Sequence, residues 1–230
     1  MKATFGNAIQ YQLHEGTGHL ILGQPPSNTM FPGFFEEFDQ AIDRILNDRH
    51  IRALVISGNG RHFSSGADLP ALFSEIQKNT AVDSRERLIQ PPDFMLKNYR
   101  SFMKLESMTI PVISAIRGVC LGSALELALS CHFRFCGEDA IFGLPEATFN
   151  LIPGLGGVRT LTAVTGKAKA LEFILSGKTI PATEALNIGI IDRIFPKREV
   201  VKNSLGFAMN IMQGFHKEKN KIYLRKYLPL

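Results

Sequence analysis

From Pro111 to Cys131 the chain reads PVISAIRGVCLGSALELALSC, an apolar stretch with Arg117, Gly118 and Glu126 inside it. Those breaks exclude a bilayer span, which needs ~20 consecutive, predominantly apolar residues. What remains is a strand, a turn and a helix in quick succession. Residues 112–116 form a short apolar run, Gly118 and Gly122 bracket small residues, and residues 122–130 carry a helical pattern. A strand that feeds directly into an apolar helix belongs in a layered α/β domain.

The same alternation continues on both sides. Residues 8–13 and 18–22 read as strands joined by the Glu15-Gly16-Thr17-Gly18 turn. Gln24-Pro25-Pro26-Ser27-Asn28 is a loop, because neither proline serves inside a helix or a central strand. Phe34, Phe35, Phe38, Ile42 and Ile45 then recur at spacings of three and four, with Asn28 or Thr29 available to start that helix. Residues 53–57 fit a buried strand that stops at Gly58-Asn59-Gly60. Residues 74–93 are polar, contain Pro91-Pro92 and read as the least ordered stretch. A helix follows over 94–105, then strands near 132–136 and 140–142 and helices over 158–164 and 168–175. A short helix over 183–187, ended by Gly189, and a strand over 190–195 complete the pattern. No internal sequence repeat and no low-complexity segment is visible.

At 230 residues and 45% hydrophobic, the chain can bury a sizeable core in one domain. Its opening, MKATFGNAIQYQL, has neither a basic start nor a continuous apolar stretch, so a signal peptide is not expected. Cys120, Cys131 and Cys136 are odd in number and lie in apolar segments, which suits reduced thiols of a soluble, cytoplasmic protein. Cys131, His132 and Cys136 lack a second CxxC or HxxxH pair, so no metal is expected. The net charge of +5 suits an anionic partner such as nucleic acid, a membrane surface or a phosphorylated cofactor. Much of it sits in the tail from His216 to Lys221, with Arg225 and Lys226 beyond. Such a run reads first as a solvated face, so neither nucleic acid nor membrane is the expected partner.

The chemistry concentrates where predicted strands end. Phe63-Ser64-Ser65-Gly66-Ala67-Asp68-Leu69 follows the strand at 53–57, and Arg117-Gly118-Val119-Cys120-Leu121-Gly122-Ser123 follows the strand at 112–116. Small residues let a backbone approach a ligand closely, and a helix beginning near Gly122 exposes unpaired N–H groups. Two N–H groups aimed at one point would hold a carbonyl oxygen as it becomes anionic. Beyond the second loop, Glu126 lies in an otherwise apolar helix, and Glu146 follows an apolar strand within Phe142-Gly143-Leu144-Pro145-Glu146. Carboxylates in such company lose solvation, which raises their pKa toward useful acid–base values. Two of them in different environments can divide acid and base work.

With these residues in view, the chain resembles the crotonase superfamily, the enoyl-CoA hydratase/isomerase family. The resemblance runs from about Gln10 to Phe195. It is most specific in HFSSGADL, in PVISAIRGVCLGSALELALSCHFRFCGEDAIFGLPEATFNLIPGLGG and in SGKTIPATEALNIGIID. It implies a repeated ββα spiral core over residues 1–195 and a shortened C-terminal helical and basic tail over 196–230. A homotrimer or hexamer is implied as well. The family's oxyanion hole maps to the backbone N–H groups of Ala67 and Ser123, and the two glutamates of its hydratase branch map to Glu126 and Glu146. Gly154 falls where the family's backbone orients the catalytic water, and Gly66, Asp68 and Gly122 fall at substrate-binding positions. An acyl-CoA thioester is the implied substrate, with CoA as part of it and no separate cofactor.

Three departures accompany the match. Pro26 and Pro70 stand where hydratases often place lysines near the CoA 3′-phosphate, Ser123 replaces a usual glycine, and the family's final helices are not apparent before Leu230. Retention of both glutamates points to hydration of a 2-enoyl thioester. The rival within the family is a double-bond isomerase using Glu146 alone. The rival of another class is a basic RNA- or protein-binding member without catalysis.

Overall fold

The computed structural model describes residues 2–79 and 93–214. Strands β1 (Lys2–Phe5), β2 (Ile9–His14) and β3 (Thr17–Leu22) form an antiparallel meander at one side of the main sheet. From β3 onward every neighbour is parallel: β4 (Ala53–Gly58), β5 (Val112–Ile116), β7 (Phe133–Gly137) and β10 (Arg193–Phe195). A second, three-stranded sheet holds β6 (Val119–Leu121), β8 (Ile141–Gly143) and β9 (Thr179–Pro181). Parallel pairing with β4 and β5 buried at every position is the pattern of a sheet covered on both faces.

The α/β layering read from the sequence is present, and so is the repeated unit implied by the resemblance. Each turn of it runs from a main-sheet strand to a short stretch in the second layer and then to a helix. β3 leads to the single bridge residue Met30 and then to helix α1 (Pro32–Asn47). β4 leads to Ser64 and then to α2 (Leu69–Asn79) and α3 (Asp93–Glu106). β5 leads to β6 and α4 (Ser123–Leu129), and β7 leads to β8, a 3₁₀ turn (Pro145–Phe149) and α5 (Gly157–Thr165). The bridges Met30↔Ala67 and Ser64↔Cys120 extend the second layer past β6. No sequence repeat announces this, because each unit is defined by where its strands pair. α6 (Lys167–Ser176) and α7 (Ala182–Asn187) precede β10.

The main core lies between the large sheet and these helices. Phe35 and Phe38 of α1 meet Phe102 of α3, with ring centroids 6.1 and 5.8 Å apart, and Phe34 packs on both of them at 5.4 and 5.7 Å. Fully burying each such ring contributes about 1.5–3 kcal/mol. α8 (Val200–Gly214) covers the opposite face of the sheet, where Val200, Ala208 and Met212 pack on Val55, Ala115 and Phe135.

Several local expectations need correction. Neither Asn28 nor Thr29 starts α1; Phe31 occupies the cap and Pro32 the first turn, where a missing N–H costs nothing. The Asn28 amide is spent elsewhere, donating to the carbonyls of Asn59, His62 and Phe63. Residues 74–79, read as poorly ordered, belong to α2, while Pro91-Pro92 lies outside the described residues. The strand expected over 190–195 is only Arg193–Phe195, because Ile190 and Ile191 form the turn leaving α7. The basic tail beyond His216 also lies outside the described residues.

Candidate active site

After β4 the chain is stitched to neighbours along both edges. Phe63 N–H donates to Arg117 O at 2.8 Å, Ser64 N–H to Val119 O at 3.1 Å and Leu121 N–H to Ser64 O at 3.3 Å. On the other edge Met30 N–H donates to Gly66 O at 2.8 Å and Asp68 N–H to Met30 O at 3.0 Å. Successive residues of extended chain direct their backbone groups to opposite edges. The Met30 bridge therefore leaves the Ala67 N–H facing the β6 side, and it has no acceptor among the described residues. Ser123, the first residue of α4, also has an N–H without an acceptor among the described residues, as helix-opening residues do. Gly66 lets the two loops close up. Its φ is +91°, and a Cβ there would press on Leu121 O and lie 3.5 Å from Ser123 N.

Glu126 sits one turn into α4, in a helix whose every residue is buried, and is itself 2% exposed. Its Oε1 accepts the N–H groups of Leu155 and Gly157, each at 2.8 Å. Gly157 must be a glycine for this, since a Cβ would come within 2.8 Å of the same oxygen. Burial pushes the Glu126 pKa up to about 8; the Gly157 N–H opposes the shift, the nearby Glu146 adds to it and the Leu155 N–H opposes it. Glu146 enters from the 3₁₀ turn after β8, with Oε1 packed 3.1 Å from where a Gly122 side chain would begin. Burial raises its pKa as well. Its Oε2 is buried without a hydrogen-bond partner among the described residues. An unpaired buried carboxylate oxygen costs free energy until a polar partner reaches it.

Both carboxylates, Ala67, Ser123 and Gly154 line one cavity of about 440 Å³. The remaining expected positions are used differently. Gly66 donates its N–H to Ser64 Oγ and gives its carbonyl to Met30, while Gly122 donates to Gly143 O and accepts from Leu125 and Glu126. Both shape the loops and spend these groups inside the protein. Asp68 lines the cavity, yet its Oδ1 accepts the Ala71 N–H and so caps α2. Pro26 and Pro70 are exposed. Cys131, His132 and Cys136 do not act together. The Cys131 thiol donates to Leu127 O, and the His132 ring accepts the Val112 N–H at Nδ1 and meets Glu106 O through Nε2.

Sequence reasoning missed the outer wall. Leu72 and Ile76 come from α2, Phe94, Met95 and Asn98 from α3, and Phe35 and Glu36 from α1. A helix face that lines a cavity has the same apolar spacing as one that packs in a core, so periodicity does not separate them.

Comparison with known proteins identifies the family. Residues 13–222 match the enoyl-CoA hydratase/isomerase family. The chain is 36% identical over 185 residues to a probable enoyl-CoA hydratase of Bacillus subtilis (strain 168), covering 80% of this chain and 68% of that one. It is 37% identical over 203 residues to the fatty acid oxidation complex subunit alpha of Shewanella loihica, covering 86% of this chain but only 27% of that longer protein. The crystal structure of an enoyl-CoA hydratase from Bacillus anthracis superimposes with a TM-score of 0.78 at 26% identity, over 91% of this chain and 78% of that one. Among the described residues no helix is long and apolar enough to cross a membrane.

Proposed function

The chain belongs to the enoyl-CoA hydratase/isomerase family, and on that footing we propose that it hydrates a 2-enoyl-CoA thioester. One observation carries the reading: a buried carboxylate, Glu126, and a half-buried one, Glu146, open onto the same cavity as two backbone N–H groups, those of Ala67 and Ser123, that lack an acceptor among the described residues.

The thioester oxygen accepts the Ala67 and Ser123 N–H groups, which places the conjugated double bond beside the carboxylates. Water lies between Glu126 and Glu146, with the backbone at Gly154 helping to orient it. In this reading the carboxyl pair shares one proton near neutral pH, carried by Glu126, whose pKa burial and the nearby Glu146 raise to about 8. As the water oxygen bonds to the β-carbon, one carboxylate takes its proton, and the α-carbon takes the proton held by the other. The elements of water are thus added and the pair keeps its single proton. Charge that builds on the thioester oxygen is met by the two N–H donors, where losing one donor costs about 2.7–4 kcal/mol. Every step uses groups of this chain, and CoA enters only as part of the substrate.

The unequal state of the two carboxylates favours a second reading. Glu126 Oε1 is occupied by two N–H groups, whereas Glu146 Oε2 is unpartnered. Glu146 alone could therefore move a proton between the α- and γ-carbons, as in double-bond isomerisation. Two assays separate the readings: loss of conjugated-enoyl absorbance with 2-enoyl-CoA, and its appearance with 3-enoyl-CoA. Hydration that needs both glutamates supports the first. Isomerisation without hydration, surviving Glu126→Gln, overturns it.

A further inference from the structure

The cavity continues outward from the carboxylates, and one side chain stands at the transition. Met95 projects from the first turn of α3 onto the backbone of Gly154, so closely that any Cβ at Gly154 would collide with Met95 Cε. The next residue along that loop, Leu155, supplies an N–H to Glu126. Met95 therefore covers the segment that holds the inner carboxylate, while Phe94 and Asn98 beside it line the outer cavity.

Among the described residues, the buried side chains and ion pairs of α3 lie in its second half. Ser101, Phe102 and Leu105 are buried, Lys104 pairs with Asp39 at 2.7 Å and Asp43 at 2.6 Å, and Glu106 pairs with Arg159. Of its cavity-lining residues, Phe94, Met95 and Asn98 are half-buried and Lys97 is exposed. A methionine thioether is unbranched and turns about three bonds, so its tip can shift where a branched side chain would stay.

We infer that Met95 sets the acyl-chain length this site accepts, its thioether filling the cavity over Gly154 for short chains and having to swing aside for long ones. The inference rests on the hydration reading for its substrate and extends it to a residue outside the carboxylate and N–H set. Cost and gain run in opposite directions for the two substrate classes. A short enoyl chain gains contact with the Met95 methyl group, and a long one must displace it.

The test compares kcat/KM for a four-carbon and a twelve-carbon 2-enoyl-CoA in the full chain, in Met95→Ala and in Met95→Phe. A missing methylene in an apolar pocket shifts selectivity about tenfold or more. Met95→Ala is expected to raise the long-to-short ratio at least about tenfold, and Met95→Phe, bulkier and unable to fold away, to lower it. Calorimetric binding of butanoyl-CoA and dodecanoyl-CoA, which carry no double bond, gives the same ratio without turnover. If no variant hydrates any enoyl-CoA, the hydration reading falls and the binding ratio decides the role of Met95. Ratios within about twofold of the parent in both variants, with melting temperatures unchanged, would overturn the assignment.

Discussion

The inner and outer walls of the cavity are built by different means. The inner wall is backbone: Ala67 is placed by a strand bridge, Ser123 by the opening of α4, and Glu126 is gripped by two N–H groups of the Leu155–Gly157 turn. The outer wall is side chain: Leu72, Ile76, Phe94 and Met95 reach in from helices and are half-buried. Backbone positions cannot be adjusted by substitution without breaking a ladder, whereas side chains on a helix face exchange freely. On the proposed function, the inner wall carries the chemistry and the outer one sets the substrate range.

The sharpest way to break that division is to remove a carboxylate. Glu126→Gln and Glu146→Gln are each expected to lower hydration by about 10²–10⁴, the usual range for a general acid–base group. Near-parental turnover by either variant would take that residue out of the chemistry. Ala67→Pro comes next, with an expected loss of about 10²–10³ for one oxyanion donor. The Ala67 N–H serves no internal bond among the described residues, so circular dichroism should report an intact fold. Unchanged kinetics in a folded Ala67→Pro protein would move the oxyanion site elsewhere.

A third measurement asks what burial of Glu126 costs the fold. Its folded pKa, about 8, lies above the ordinary 4.5, so the native state binds the proton more tightly than the unfolded chain. Its contribution to stability is then fully present below pH ~4.5 and is lost as pH rises through ~8. Glu126→Gln removes that loss, which amounts to a few kcal/mol, and should raise the melting temperature at pH ~8 by roughly 5–10 °C relative to the parent. At pH ~4.5 the two proteins should nearly coincide. A melting-temperature difference independent of pH would mean that Glu126 is charged and satisfied in the folded state.

The smallest effect lies at the mouth of the site. With exposed Pro26 and Pro70 in place of cations, kcat/KM for a CoA thioester and its 3′-dephospho counterpart should differ by less than about tenfold, since a charged phosphate contact contributes ~1.5–3 kcal/mol. Strong preference for CoA, abolished on truncation before His216, would assign the phosphate to the basic tail instead.

Much of the inner wall was legible in the chain because its signals are local. A carboxylate within Ala124-Leu125-Glu126-Leu127-Ala128 declares its own burial, and glycines beside Ala67 and Ser123 declare a close approach of backbone. Helices α3 to α7 and strands β5, β7 and β8 fall within a few residues of where periodicity places them, whereas the short strands β6 and β9 had no signal of their own. The start of α1 was misread for a local reason too: Asn28 is a good capping residue, but loops thirty positions away claim its amide.

The sequence by itself determined that this protein alternates strands with helices, that its two glutamates sit in apolar company, and that two small-residue loops follow strands. Only the tertiary structure decided that Glu126 Oε1 is held from positions 29 and 31 residues away. It likewise decided that, among the described residues, the Ala67 N–H is left over after strand pairing and the Ser123 N–H at the opening of α4, and that α3 lays Met95 across Gly154. Residue type sets burial and local backbone preference, which act over a few positions. Which donor remains unpaired, and which side chain ends up over which glycine, depends on register between segments far apart in the chain. Register is a property of the packed sheet and helices together.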